Sequence, residues 1–210
     1  MQLVGKLIIK SKEKIIQFLN EEDTGRISSI DEQGFPQIIP MNFVFLDNSV
    51  YMHSHIRGEK IENIKRNSKV GFEVDRSLEF LPSYFSDPEN ASLADTLYIS
   101  VVIKGEAHLV EDRNEKVLAL NGLMRKYQPE GRYKPMSNDM DVLDATAVIK
   151  VIPKEMNGKY KIGQTMSKED RIELAYQIKE KNSKTSKDTL AVMGFIIEDD
   201  KLVMKEDVEW

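Results

Sequence analysis

The chain has 210 residues, 40% of them hydrophobic and 31% charged, with a formal net charge of −5. That describes one domain, or one with appendages, with material for a core; the acidic balance argues against a general nucleic-acid surface. With no cysteine, it can form no disulfide, thiolate nucleophile or cysteine-ligated metal centre.

The opening "MQLVGKLIIKSKEK" has one short apolar run broken by lysines. It is too short for a membrane span and has no cleavage signal, so a cytoplasmic protein with no membrane association is expected. "SKEKIIQFLNEED" places Ile15, Ile16 and Leu19 on one helical face, with Ser11 as the cap. A strand "GRISSI" and a turn "DEQG" follow. "FPQIIPMNFVFL" and "SVYMHSH" read as two strands around Asp47-Asn48, a pair that tolerates the positive φ of a tight hairpin. "EKIENIKRN" reads as a short helix and "KVGFEVD" as a strand. Residues 76–96, with two prolines, read as a long irregular connection.

"LYISVVIKGEAHLVE" is a long strand in which Gly105 marks a bend or bulge. "DRNEKVLALNGLMRKYQ" opens with a capping box, Asp112 at the cap and Glu115 three residues later, and carries Val117, Leu120, Met124 and Tyr127 as an apolar stripe. "ATAVIKVI" is the last core strand, bounded by Pro153. A second capped helix starts at Ser167, with Asp170 at its third position; the polar run "KNSKTSKD" separates it from a tail. Consecutive strands with inserted helices favour an antiparallel barrel or meander over a doubly wound parallel sheet. The expected organisation is a barrel domain over residues 1–165, with 166–210 as a helical extension and tail packed on it.

A two-residue turn at Asp47-Asn48 pairs Leu46 with Ser49, Val44 with Tyr51 and Asn42 with His53. Asn42, Val44, Tyr51, His53 and His55 then share one face, away from the core face of Phe43, Phe45, Val50 and Met52. The strand ends in "HSHIRGEK", directly before a helix whose unpaired N–H groups and dipole favour an anion. Lys60 stands in the first turn, where a cation opposes the dipole unless an anion is bound. Two readings stay open: Lys60 and Arg57 as solvated loop charges, or an anion site. His53 and His55 point the same way as zinc ligands would, but a third ligand would have to come from Glu106 or His108 on a distant strand, so no metal is expected. Ser28, Ser29, Ser54 and Ser100 lack an elbow-type glycine context, and no catalytic residue stands out.

"GFPQIIPMNFVF", "SVYMHSHIRGEKIENIKRNSKVGFEV" and "YISVVIKGEAHLVED" together resemble the pyridoxamine 5′-phosphate oxidase-related FMN-binding split-barrel proteins, in their nitroimidazole-resistance-type branch. The matching positions are Gly34 and Pro36, Pro40 and Asn42, His53 and Ser54, Gly58 and Lys60, Asn67 and Val70, then Ser100, Val101, Gly105 and Ala107. The resemblance covers about residues 20–165. It implies a mainly β chain, a six-stranded antiparallel split β-barrel of Greek-key type, dimerising with FMN between the subunits. It also implies that Ile39, Pro40, Met41 and Asn42 lie along the isoalloxazine, that His53, Ser54 and Lys60 hold the phosphate, and that Ser100 touches the cofactor from another strand. The family's arginine before the lysine is Glu59 here, and basic substrate-phosphate residues have no match near the C-terminus. Pyridoxamine phosphate oxidation is therefore not implied. The expected function is an FMN-dependent oxidoreductase acting on a small nitroaromatic- or quinone-like acceptor; the alternative is a carrier of FMN or haem without turnover.

Overall fold

The structure, a computed structural model, describes residues 5–205. Its regular elements in chain order are β1 (Ile8–Ile9), α1 (Lys12–Glu21), β2 (Thr24–Ile30), β3 (Pro36–Leu46), β4 (Ser49–His55), α2 (Glu59–Arg66), β5 (Lys69–Leu81) and β6 (Asp95–Leu109). There follow α3 (Arg113–Tyr127), α4 (Val142–Ala145), β7 (Thr146–Lys161), α5 (Lys168–Lys181), α6 (Ser186–Val192), β8 (Phe195–Glu198) and β9 (Lys201–Met204). One sheet runs β1-β7-β4-β3-β2-β5-β6, and β6 also pairs with β7, so six strands close on themselves. The order β5-β2-β3-β4 is the Greek-key arrangement, in which a fourth strand returns beside the first. The β2–β3, β2–β5, β3–β4 and β4–β7 ladders are antiparallel. This is the split barrel that the sequence led us to expect.

Contact density divides the chain into two compact units. One comprises Lys12–Val74 and Val101–Asn157; the other comprises residues up to Ser11, Asp75–Ser100 and residues from Gly158 onward.

In the first unit the β3–β4 hairpin fixes the core. Asp47 and Asn48 adopt φ of 47° and 57°, a turn whose twist matches the strands it joins. Leu46 pairs with Ser49, Val44 with Tyr51 and Phe43 with Met52, as the hairpin count requires. Phe43, Phe45, Val50 and Met52 are buried, and the Phe43 ring meets Phe72 edge-on at 5.1 Å between centroids. The opposite face corrects the sequence reading. Val44 and Tyr51 are buried too, under Ala119, Leu120 and Leu123 of α3. Gly122 lets the helix come this close, because a Cβ there would lie 2.6 Å from Leu46 Cδ1. The turn half of the hairpin is thus covered on both sides, and only its far half leaves a face open.

Helix α3 also departs from its expected cap. Asp112 accepts the Asn114 and Glu115 N–H groups at 2.6 and 3.1 Å. Glu115 does not return to the cap; its Oε1 accepts from Lys150 at 2.7 Å and from the Tyr51 hydroxyl at 2.8 Å. Lys150 first, then Tyr51, hold its carboxyl below the usual carboxylate range.

Three strand boundaries differ from expectation. Strand β5 continues to Leu81 and β6 begins at Asp95, so the connection is shorter than residues 76–96 and contains two 3₁₀ turns, Ser83–Phe85 and Ala91–Leu93. Strand β7 passes through Pro153 to Lys161. Its ladder with β4 ends at Val151 and that with β1 starts at Gly158, so the missing proline N–H falls between the two. In the second unit α6 starts within the polar run, at Ser186, and the tail forms the β8–β9 hairpin around Asp199-Asp200, both at positive φ. Glu79 of β5 is buried there, accepting from Lys181 at 2.7 Å, Ser183 at 2.6 Å and Thr185 at 2.9 Å. Burial raises its pKa, but Lys181 and the two hydroxyls outweigh that and hold it low.

Gly105 lies within an unbroken strand, so it marks a close approach rather than a break. A Cβ there would stand 2.6 Å from the Ile152 carbonyl oxygen and 2.9 Å from Val151 Cγ1. Gly105→Ala is expected to destabilise the fold by about 1–3 kcal/mol, because backbone must move to admit it. Urea denaturation measures this; an unchanged midpoint would show that β6 and β7 are not in contact here.

A candidate phosphate cradle at the start of helix α2

The cradle begins where β4 leaves the sheet. His53, Ser54 and His55 pair with Val148, Ala147 and Thr146 of β7, and beyond them Ile56 to Gly58 turn the chain into α2. Gly58 has φ 140°, a conformation that side-chain-bearing residues rarely adopt. No atom lies within 4 Å of where its Cβ would be. The glycine is required by the backbone and leaves open space beside the helix end. His55, to which the sequence assigned no role, accepts the Arg57 N–H at Nδ1, 3.1 Å away, bracing the turn. Ser54 Oγ donates to the His55 carbonyl at 3.1 Å.

No side chain caps α2, and the Ile61 N–H is taken by the Gly58 carbonyl at 3.0 Å, so the Glu59 and Lys60 N–H groups and the positive dipole end are what an anion could meet. Lys60 lies in this turn, half-buried. Its Nζ is 3.3 Å from Met41 Sδ, and among the described residues it has no carboxylate partner. Burial lowers its pKa. A partly desolvated cation without a counter-charge is a costly arrangement unless an anion completes it.

The helix is held by a polar group buried within its apolar face. Asn63, between Ile61 and Ile64, is 1% exposed. Its Nδ2 donates to Gln37 Oε1 at 3.3 Å and Ser29 Oγ at 3.4 Å, and its Oδ1 accepts from Arg66 at 2.8 Å. Arg66 also donates to the Ile30 carbonyl at 2.9 Å. The sequence reading missed this network. The signal was an asparagine placed where the stripe of Ile61 and Ile64 should be continuous.

The predicted residues separate by face. Gly25 pairs with Met41 and Ile27 with Ile39, and the Ile27, Ile39 and Met41 side chains turn toward the barrel; Arg26 pairs with Pro40 and Thr24 with Asn42, on the exposed side. His53 is exposed and Ser54 half-buried. The structure brings Met41 and Lys60 into contact, while His53 and Ser54 stand at the end of β4 and Gly58 in the turn that follows. Ser100 is half-buried on β6 between buried Ile99 and Val101, at the end of the Asp75–Ser100 segment. Among the described residues no three of His, Asp and Glu converge on a metal position, and Glu106 pairs with Lys154 at 3.2 Å. No helix of the described residues is long and apolar enough to cross a membrane.

A closed six-stranded antiparallel sheet with a helix after its third hairpin strand defines the split-barrel class. The chain belongs to the pyridoxamine 5′-phosphate oxidase family, whose sequence profile matches residues 11–160. A candidate 5-nitroimidazole antibiotic resistance protein from Bacteroides thetaiotaomicron is similar at 26% identity and TM-score 0.62, over 73% of this chain and 86% of that one. A flavocytochrome from Azotobacter vinelandii shares the fold at 18% identity and TM-score 0.65, over 77% and 72%. So does a FAD and heme binding protein from Mycobacterium smegmatis, at 14% identity and TM-score 0.62, over 77% of each chain. No curated protein matches the chain.

Asn63→Ala should loosen α2 by leaving buried Ser29 and Gln37 without their donor, at a cost of about 1–3 kcal/mol. Hydrogen exchange should show α2 amides losing protection ahead of the barrel strands. Equal loss throughout would mean that Asn63 supports the whole fold and not the cradle.

Proposed function

We propose that the chain binds FMN with its phosphate at the β4–α2 turn and acts, as a homodimer, as a flavin-dependent oxidoreductase on a small nitroaromatic- or quinone-like acceptor. The observation that carries this reading is Lys60, a half-buried cation in an uncapped helix turn with no carboxylate partner among the described residues. Lys60 and the first-turn N–H groups hold the phosphate, with His53 and Ser54 at its edge. The β3 backbone from Ile39 to Asn42 flanks the ring. Bound FMN supplies the electron-transfer chemistry; the chain supplies placement and local polarity. The family membership and the 26%-identical resistance protein support the flavin and the acceptor class.

The dimer is supported by the outer face of β2–β3. Ile30 pairs with Pro36 and Ser28 with Ile38, and Ile38 is 63% and nearby Phe35 65% exposed. Exposed apolar strips of this kind mark association surfaces. Ile38→Glu is expected to leave the fold intact and convert a dimer to a monomer in sedimentation. A wild-type chain that is monomeric at micromolar concentration and still binds FMN would overturn the shared site.

Lys60→Ala should weaken FMN by about ten- to a hundredfold, the worth of one charge-assisted hydrogen bond of roughly 1.5–3 kcal/mol. Riboflavin, lacking the phosphate, should bind weakly to the wild type and lose little further. Fluorescence titration of both ligands checks this. Unchanged FMN affinity in a folded variant would leave Lys60 as a solvated charge, and a Soret band in place of flavin absorbance would make the chain a haem carrier.

A further inference from the structure

Within the unit formed by residues up to Ser11, Asp75–Ser100 and residues from Gly158, a cavity of about 540 Å³ opens between the β5–β6 connection, the end of β7 and helix α5. None of the eight residues assigned to the flavin lines it. Its volume is that of a small-molecule site. Leu81, Phe85, Leu93, Leu97, Met166 and Leu174 supply apolar surface. Its walls are tied in place: Gln177 Nε2 donates to the Phe85 carbonyl at 2.9 Å, and Gln164 Nε2 donates to the carbonyls of Lys6 at 3.0 Å and Tyr160 at 3.1 Å.

The charge around this surface is one-sided. Three carboxylates, of Asp95, Asp170 and Glu173, line the cavity against one lysine, Lys161. Lys161 is already neutralised by Asp95, 2.5 Å away. Asp170 and Glu173 have no ion-pair partner among the described residues. They lie three apart on α5, on the same face as the cavity-lining Leu174 and Gln177. The helix dipole accounts for Asp170, in the first turn, but offers nothing to Glu173 one turn on. Two like charges at this spacing also repel across the helix surface. A cation placed between them would relieve that repulsion while its apolar body covered the leucines.

We propose that this cavity binds a small organic cation, an amine with an apolar or aromatic body, through Asp170 and Glu173. The proposal is independent of the flavin reading, because its test reads binding alone.

The full chain is titrated calorimetrically with 2-phenylethylamine and, separately, with 3-phenylpropionate, which carries a similar body with the opposite charge. The amine is expected to bind saturably and the carboxylate not. Binding should weaken in 1 M salt, because exposed carboxylates are screened. The double variant Asp170→Asn, Glu173→Gln should bind the amine roughly five- to tenfold more weakly, the scale of two exposed charge contacts. Both side chains are exposed, so the variant should keep its melting temperature. Failure of the amine to bind at up to about 5 mM, equal binding of phenylpropionate, or unchanged affinity in the double variant would each overturn the proposal.

Discussion

The Asp47-Asn48 turn is the constraint on which the first unit depends. Two consecutive residues at positive φ set the pairing of β3 with β4, and side chains alternate with a period of two. A slip of one residue would move Phe43, Phe45 and Met52 out of the core together. Strand β4 passes the same parity to β7, from Val50 opposite Val151 to His55 opposite Thr146. Helix α3 then covers the second face over Val44 and Tyr51 but leaves Asn42, His53 and His55 exposed. The candidate site lies where that second layer stops.

Beyond the sheet, the candidate site works against the preferences of its own helix. A lysine in the first turn opposes the dipole, and partial burial adds to the cost. What holds the turn in place lies one turn further on, in the burial of Ile61 and Ile64 and in the hydrogen bonds that Asn63 makes to β2, β3 and Arg66. Stability is concentrated at the middle of α2, which frees its start to carry an arrangement that would not persist alone.

Much of this was legible in the sequence because it follows from period and turn chemistry. The hairpin register, the short helix at residues 59–66 and the caps at Asp112 and Ser167 came from local signals, whereas the closed Greek-key barrel was implied by the family resemblance. What escaped depends on partners distant in sequence. The strand through Leu78 and Glu79 was hidden because a buried carboxylate breaks alternation, and only Lys181, Ser183 and Thr185, about a hundred residues on, explain its burial. Pro153 read as a strand end because the gap between two ladders cannot be seen from one strand. Val44 and Tyr51 read as surface because the helix that covers them comes some seventy residues later.

Pairing, more than charge itself, separates structural ions from candidate binding ions in this chain. Most of the charges on the barrel strands find an opposite: Arg26 with Glu73, Lys104 with Glu155, Lys154 with Glu106, and Lys150 with Glu115. Most of these pairs are exposed and contribute little to stability, but they leave no local charge for a ligand to answer. Lys60 in one unit, and Asp170 with Glu173 in the other, have no such partner among the described residues. Each stands beside apolar surface that weakens screening by water. The net charge of −5 gives no hint of either, because it counts paired and unpaired ions alike. An unpaired cation at a helix start and unpaired carboxylates over a leucine-lined cavity are each complementary to ligands of opposite sign. Which ions are left over is decided by the fold, through the strand registers and helix placements that bring the other charges together.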